Sequence, residues 1–71
     1  MATLTLKVTG MHCDHCQMKV EKALLGVAGT RTAAVFLEDN EAEVDFDPAA
    51  ASAEKYIDAV RQVGYEAAVA D

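Results

Sequence analysis

Basic side chains are scarce: six Lys and Arg stand against twelve Asp and Glu, giving a net charge of −6 at neutral pH. That balance argues against nucleic acid or another polyphosphate as a ligand, and for solubility or a basic partner. Tryptophan is absent, and proline occurs once, at Pro48. No stretch approaches the ~20 apolar residues that a membrane span requires, so no membrane insertion is expected. The amino end also lacks a basic stretch followed by an apolar run, because Met1 to Val8 alternates polar and apolar residues. Without an export signal the expected compartment is the cytoplasm. No repeat, linker or low-complexity tract divides the 71 residues, which predicts one small domain over 1–71. No Ser/His/Asp set, phosphate loop or buried carboxylate pair supports hydrolysis or group transfer, so an enzyme is not expected.

The hydrophobic pattern is informative. Leu4, Leu6 and Val8 share one face and Thr3, Thr5, Lys7 and Thr9 the other, the period of a half-buried strand that ends at Gly10. From Asp14 the period changes. Cys16, Val20, Ala23, Leu24 and Val27 form an apolar stripe, with Gln17, Glu21 and Lys22 on the wet side, predicting a helix over Asp14 to Leu25 that stops near Gly26 and Gly29. Alternation resumes with Ala33, Val35 and Leu37 inward. A polar turn at Glu38-Asp39-Asn40 follows, and then Ala42, Val44 and Phe46 point inward. After Asp47-Pro48 and the loosely specified Ala49-Ala50-Ala51, Ser52 is the expected cap of a helix over Ala53 to Val63, with Ile57, Val60 and Tyr56 facing the core and Gly64 closing it. Glu66 to Ala70 supplies a last strand, Ala67 and Val69 inward. The order is βαββαβ, an α+β ferredoxin-like sandwich with a four-stranded antiparallel sheet and both helices on one face. Phe36 is left on the open face, an ordinary exposed residue or a partner contact.

Cysteine occurs only twice, and both copies fall within four residues, at Cys13 and Cys16. In a reducing compartment such a pair reads as metal-binding or catalytic before it reads as a structural staple. A disulfide across so short a loop would barely constrain the unfolded chain. The predicted fold places the pair at the first strand-to-helix connection, Cys13 in the loop and Cys16 in the first helical turn. There the unpaired N–H groups and positive dipole end favour thiolate, and Lys19 and Lys22 add positive charge. Thiolate sulfur selects soft cations such as Cu(I) over Mg²⁺ or Ca²⁺. Thioredoxin-like redox proteins also use C-x-x-C, but the missing tryptophan, the short chain and the position of Pro48 well past the motif weigh against that reading.

Gly10-Met11-His12-Cys13-Asp14-His15-Cys16 resembles the GMxCxxC signature of the heavy-metal-associated domain, and the βαββαβ order and Gly64-Tyr65 are similar to that family as well. The resemblance covers essentially the whole chain. It is to a family of small cytosolic copper chaperones, amino-terminal domains of heavy-metal P-type ATPases and a periplasmic mercury-binding protein, and among these to a bacterial cytosolic copper chaperone. It implies the sheet order 4-1-3-2, metal thiolates at Cys13 and Cys16 holding Cu(I) in a near-linear site, and a buried, non-ligating methionine at Met11. It also implies a tyrosine packed beside the site at Tyr65.

The remaining candidates each have two readings. Met11 is a soft thioether or, more simply, core beside a strand end. Tyr65 is packing or a shield near the thiolates. Lys19 is a solvated helix residue or compensates the anionic site. His12 adjoins Cys13 and is expected in solvent, and nothing resembles the separated histidine half of a zinc finger. His15, in the first helical turn, is a solvated imidazole or an auxiliary ligand, in one chain or across a metal-bridged homodimer. The function implied is a Cu(I) metallochaperone that hands its ion, through sulfur-bridged intermediates, to a heavy-metal P-type ATPase or its metal-binding domain. The alternatives are a metal-binding domain of such an ATPase, a carrier of Hg(II), Zn(II) or Cd(II), and a thiol-disulfide redox protein.

Overall fold

In the computed structural model, which describes residues 2–12 and 14–70, the predicted order is found: β1 (Ala2–Thr9), α1 (Asp14–Leu25), β2 (Thr30–Phe36), β3 (Glu41–Phe46), α2 (Ala53–Gln62) and β4 (Glu66–Val69). The four strands form one antiparallel sheet in the order β2-β3-β1-β4, which is the implied 4-1-3-2 read from the other edge. Leu6, Val8, Val35, Ala42, Val44 and Phe46 from the sheet meet Val20 and Leu24 of α1 and Tyr56 and Val60 of α2 in a single core. The opposite face is polar. Across it the register sets Lys7 beside Glu41, Thr5 beside Glu43 and Thr3 beside Asp45, with a Lys7–Glu41 ion pair at 3.2 Å and a hydrogen bond from Thr3 to Asp45 at 3.3 Å. Phe36 stays 46% exposed on this face, as the alternation requires.

Tyr56 is the largest fully buried side chain, and its ring meets Phe46 edge-on at 5.3 Å. Its hydroxyl is 2.6 Å from that of Thr30, which in turn donates to the Leu24 carbonyl at 3.0 Å. A buried phenol requires such a partner. The relay also supplies a second donor to the Leu24 carbonyl at the end of α1, which accepts the Val27 N–H at 3.2 Å.

Several expectations are corrected. Leu37 does not continue β2: Leu37–Asp39 forms a 3₁₀ turn closed by Asn40 in the left-handed region at φ +53°, and Leu37 packs half-buried against the core from there. Between Thr30 and Thr32 the register with β3 slips by one residue, so Arg31 is a bulge. Ser52 begins α2, but only its carbonyl takes part, accepting the N–H groups of Lys55 and Tyr56; its hydroxyl makes no capping bond. The helix stops at Gln62, a residue short of Val63. In β4, Val69 lies opposite Leu6 yet is 45% exposed, because the strand is a four-residue edge with no further strand beside it among the described residues. The connection Ala49 to Ala51 proves well specified. The N–H of Ala49 bonds the Asp47 carboxylate, those of Ala50 and Ala51 bond the Asp47 carbonyl, and Ala51 is core.

Candidate metal centre

Three connections meet at one end of the sheet. β1 ends at Thr9, and Gly10 turns the chain with φ +98°, a conformation that glycine adopts freely and L side chains rarely do. A methyl group on Gly10 would sit 3.2 Å from Cδ1 of Tyr65, so the ring of Tyr65 rests against the turn just before the metal motif. Tyr65 itself follows Gly64 and precedes β4, half-buried against the core, and its N–H donates to the Val60 carbonyl. From the third side, the Val8 N–H donates to the Asn40 carbonyl at 2.8 Å, drawing the β2–β3 connection to the end of β1.

Met11 is 5% exposed and belongs to the core cluster, so its side chain anchors the loop from beneath. Its neighbour His12 is exposed, as are Asp14 and His15. Cys13 lies outside the described residues. Cys16 occupies the first turn of α1, half-buried, in line with the buried Val20 and Leu24 one and two turns further on. The apolar stripe therefore aims this cysteine toward the core side of the helix, while the helix N-terminus supplies the partial positive charge that favours thiolate. Lys19 is exposed. Among the described residues no group of three or more His, Cys, Asp and Glu side chains is gathered to hold an ion.

Two features of this region escaped the sequence. Gln17, expected on the wet side of α1, is half-buried, and its Nε2 donates to the carbonyl of Val35 on β2 at 3.0 Å. No pattern of residues announces that bond. The resemblance implied Tyr65 beside the site, but not that its ring seats against Gly10, the first residue of the motif. Beside them, Phe36, Leu37, Glu38 and Asp39 face Asp14 and Gln17 across a groove of about 350 Å³.

The sequence pattern of the heavy-metal-associated domain matches residues 5–66, from within β1 to the start of β4. The chain belongs to the heavy-metal-associated domain family. Copper chaperone CopZ of Staphylococcus saprophyticus is 44% identical to it over 66 residues, covering 93% of this chain and 97% of that protein. A copper-exporting P-type ATPase of Staphylococcus aureus is 35% identical over 69 residues, 97% of this chain but 9% of the ATPase. Among solved structures, a copper-binding domain of a P-type ATPase superposes with a TM-score of 0.97 at 37% identity, covering 100% of this chain and 96% of that one. The sheet order and one-sided helices are thus those of the heavy-metal-associated fold. Domains of this family thus occur both in a protein named as a copper chaperone and within a copper-exporting P-type ATPase. No helix among its described residues is long and apolar enough to cross a membrane.

Proposed function

We propose that the protein is a Cu(I) metallochaperone of the cytoplasm, holding one ion between the thiolates of Cys13 and Cys16 and passing it by ligand exchange to a partner such as a copper-transporting P-type ATPase or its metal-binding domain. The match to copper chaperone CopZ carries this reading, because it is the nearer of the two in sequence, at 44% identity against 35% for the copper-exporting ATPase. The function is binding and transfer, with no catalytic step. Two thiolates suit a soft ion, and a helix N-terminus lowers the cost of their negative charge.

Ligand exchange needs an ion that a second pair of thiols can reach, and the exposure of His12, Asp14 and His15 supports an accessible cargo. In this scheme an incoming thiolate joins the ion before an outgoing one leaves, so tight holding and fast handover coexist. Met11 supports the loop, Tyr65 shields it, Lys19 offsets its charge, and His15 is solvated in the single chain but stands where a second chain could use it as a ligand.

The second reading, a domain of a copper ATPase, is favoured by the 0.97 TM-score to such a domain. Hg(II), Zn(II) and Cd(II) carriers would use the same sulfurs and are separated by competition titration. The transfer claim is tested by mixing the Cu(I)-loaded chain with the apo metal-binding domain of a copper ATPase in the presence of a coloured Cu(I) chelator. Copper is expected to reach the domain faster than it reaches the chelator from the loaded chain alone. Movement only at the chelator-limited rate, or disulfide reductase activity with no copper retained, refutes the proposal.

A further inference from the structure

The first turn of α1 is attached to the sheet by a side chain with no assigned role. Gln17 Nε2 donates to the Val35 carbonyl at 3.0 Å in a partly buried setting. Chemistry fixes the orientation of the amide, since only its NH₂ end can face a carbonyl. β2 is an edge strand, and an edge presents backbone groups that no neighbouring strand meets. Gln17 supplies a donor to one of them.

Its position in the chain gives the bond a consequence. Gln17 directly follows Cys16, in the turn where helices fray and where the first four N–H groups have no intrahelical acceptor. The neighbouring Asp14, His15, Met18 and Lys19 are all exposed, so beside the half-buried Cys16 itself Gln17 is the side chain of this turn that reaches the sheet. Fraying of this turn would carry Cys16 with it.

We infer that Gln17 is a positioning residue for the metal site: by bonding Val35 it holds the Cys16 end of α1 against β2, so that the apo chain presents the Cys16 sulfur already placed for its ion. This inference rests on the Cu(I) reading of Cys13 and Cys16. Ligands held in place lose less freedom on binding, and a hydrogen bond of this kind corresponds to about a fivefold change in an equilibrium constant.

The test compares Gln17→Met, which keeps length but has no donor, with Gln17→Asn, which keeps the amide but falls short of Val35. Tyr56→Phe serves as control, since its hydroxyl acts through Thr30 at the far end of α1 and its loss lowers stability without touching this turn. Cu(I) affinity by chelator competition, thermal unfolding, and backbone order parameters of residues 16–19 in the apo chain are measured for each.

Both Gln17 variants are expected to bind Cu(I) roughly three- to tenfold more weakly than the wild type, with lower order parameters at 16–19, while Tyr56→Phe unfolds earlier and binds Cu(I) as the wild type does. Gln17 variants within twofold of the wild type, or a Tyr56→Phe chain weakened as much as they are, overturn the inference alone. A wild-type chain that holds no Cu(I) overturns the functional reading and this inference with it.

Discussion

Replacing Gly10 with alanine perturbs the floor of the metal loop through two separable effects, and the fold supplies a control for each. Gly64 has the same φ of +98° with nothing within 4 Å of an added Cβ, so Gly64→Ala reports backbone strain alone, about 1–2 kcal/mol for an L residue in the left-handed region. Gly10→Ala carries that strain and also sets its methyl 3.2 Å from Tyr65 Cδ1, so the ring must give by a few tenths of an ångström at a further cost of about 1 kcal/mol. At Gly29, with φ +94°, an added Cβ would lie 2.6 Å from the Cβ of Ala50. That methyl has no rotamer to escape to, and Ala50 is bonded into the Asp47 turn, whose own N–H donates to the Gly29 carbonyl. Gly29→Ala is therefore expected to be the most damaging of the three.

Thermal melts read the order, with roughly 4–8 °C lost per kcal/mol in a domain of this size. A double-mutant cycle isolates the contact: in a Tyr65→Ala background the excess cost of Gly10→Ala over Gly64→Ala should vanish. An excess that survives removal of the ring refutes the placement of Tyr65 on the turn, and a Gly64→Ala chain as unstable as Gly29→Ala refutes the clash between Gly29 and Ala50.

The relay from Tyr56 through Thr30 to Leu24 makes Thr30→Val costly, about 1–3 kcal/mol in urea unfolding, because the buried phenol is left without its partner; Tyr56→Phe, which leaves nothing orphaned, should cost less, about 1 kcal/mol. Met11→Ala should cost about 2–5 kcal/mol as a core truncation, and Met11→Leu under about 1.5 kcal/mol while binding Cu(I) as tightly as the wild type, an outcome that a ligating thioether would not permit. His15→Ala is expected to leave both the stability and the single-ion stoichiometry of the monomer unchanged, read by thermal melt and Cu(I) titration, since the side chain is exposed.

The elements were legible wherever one face is apolar and the other wet. That held for α1, whose ends at Asp14 and Leu25 match the periodic stripe and the glycines beyond it, and for β1 and β3, whose carboxylates and threonines mark the open face. Legibility failed where tertiary contacts override local pattern. Leu37 has the right period for a strand, yet the chain must turn there, and Asn40 takes the left-handed position that closes the turn. Val69 has the parity of a buried residue but lies on an edge strand. The buried Ala51, the hydroxyl relay of Tyr56 and the Gln17 bond each join segments distant in sequence, which no local periodicity encodes. At the site, the depth of Met11 followed from the pattern and a place for Tyr65 beside the motif from the resemblance, whereas the contact of its ring with Gly10 emerged only with the fold.

Whether Cys13 and Cys16 together hold Cu(I) is tested by anaerobic titration of the reduced protein against a competing Cu(I) chelator, with Zn(II) and Hg(II) in parallel. One Cu(I) retained per chain, lost when Cys13→Ser and Cys16→Ser are combined, is the result predicted. A wild-type chain that surrenders its copper to the chelator, or a double variant that keeps it, would contradict the account.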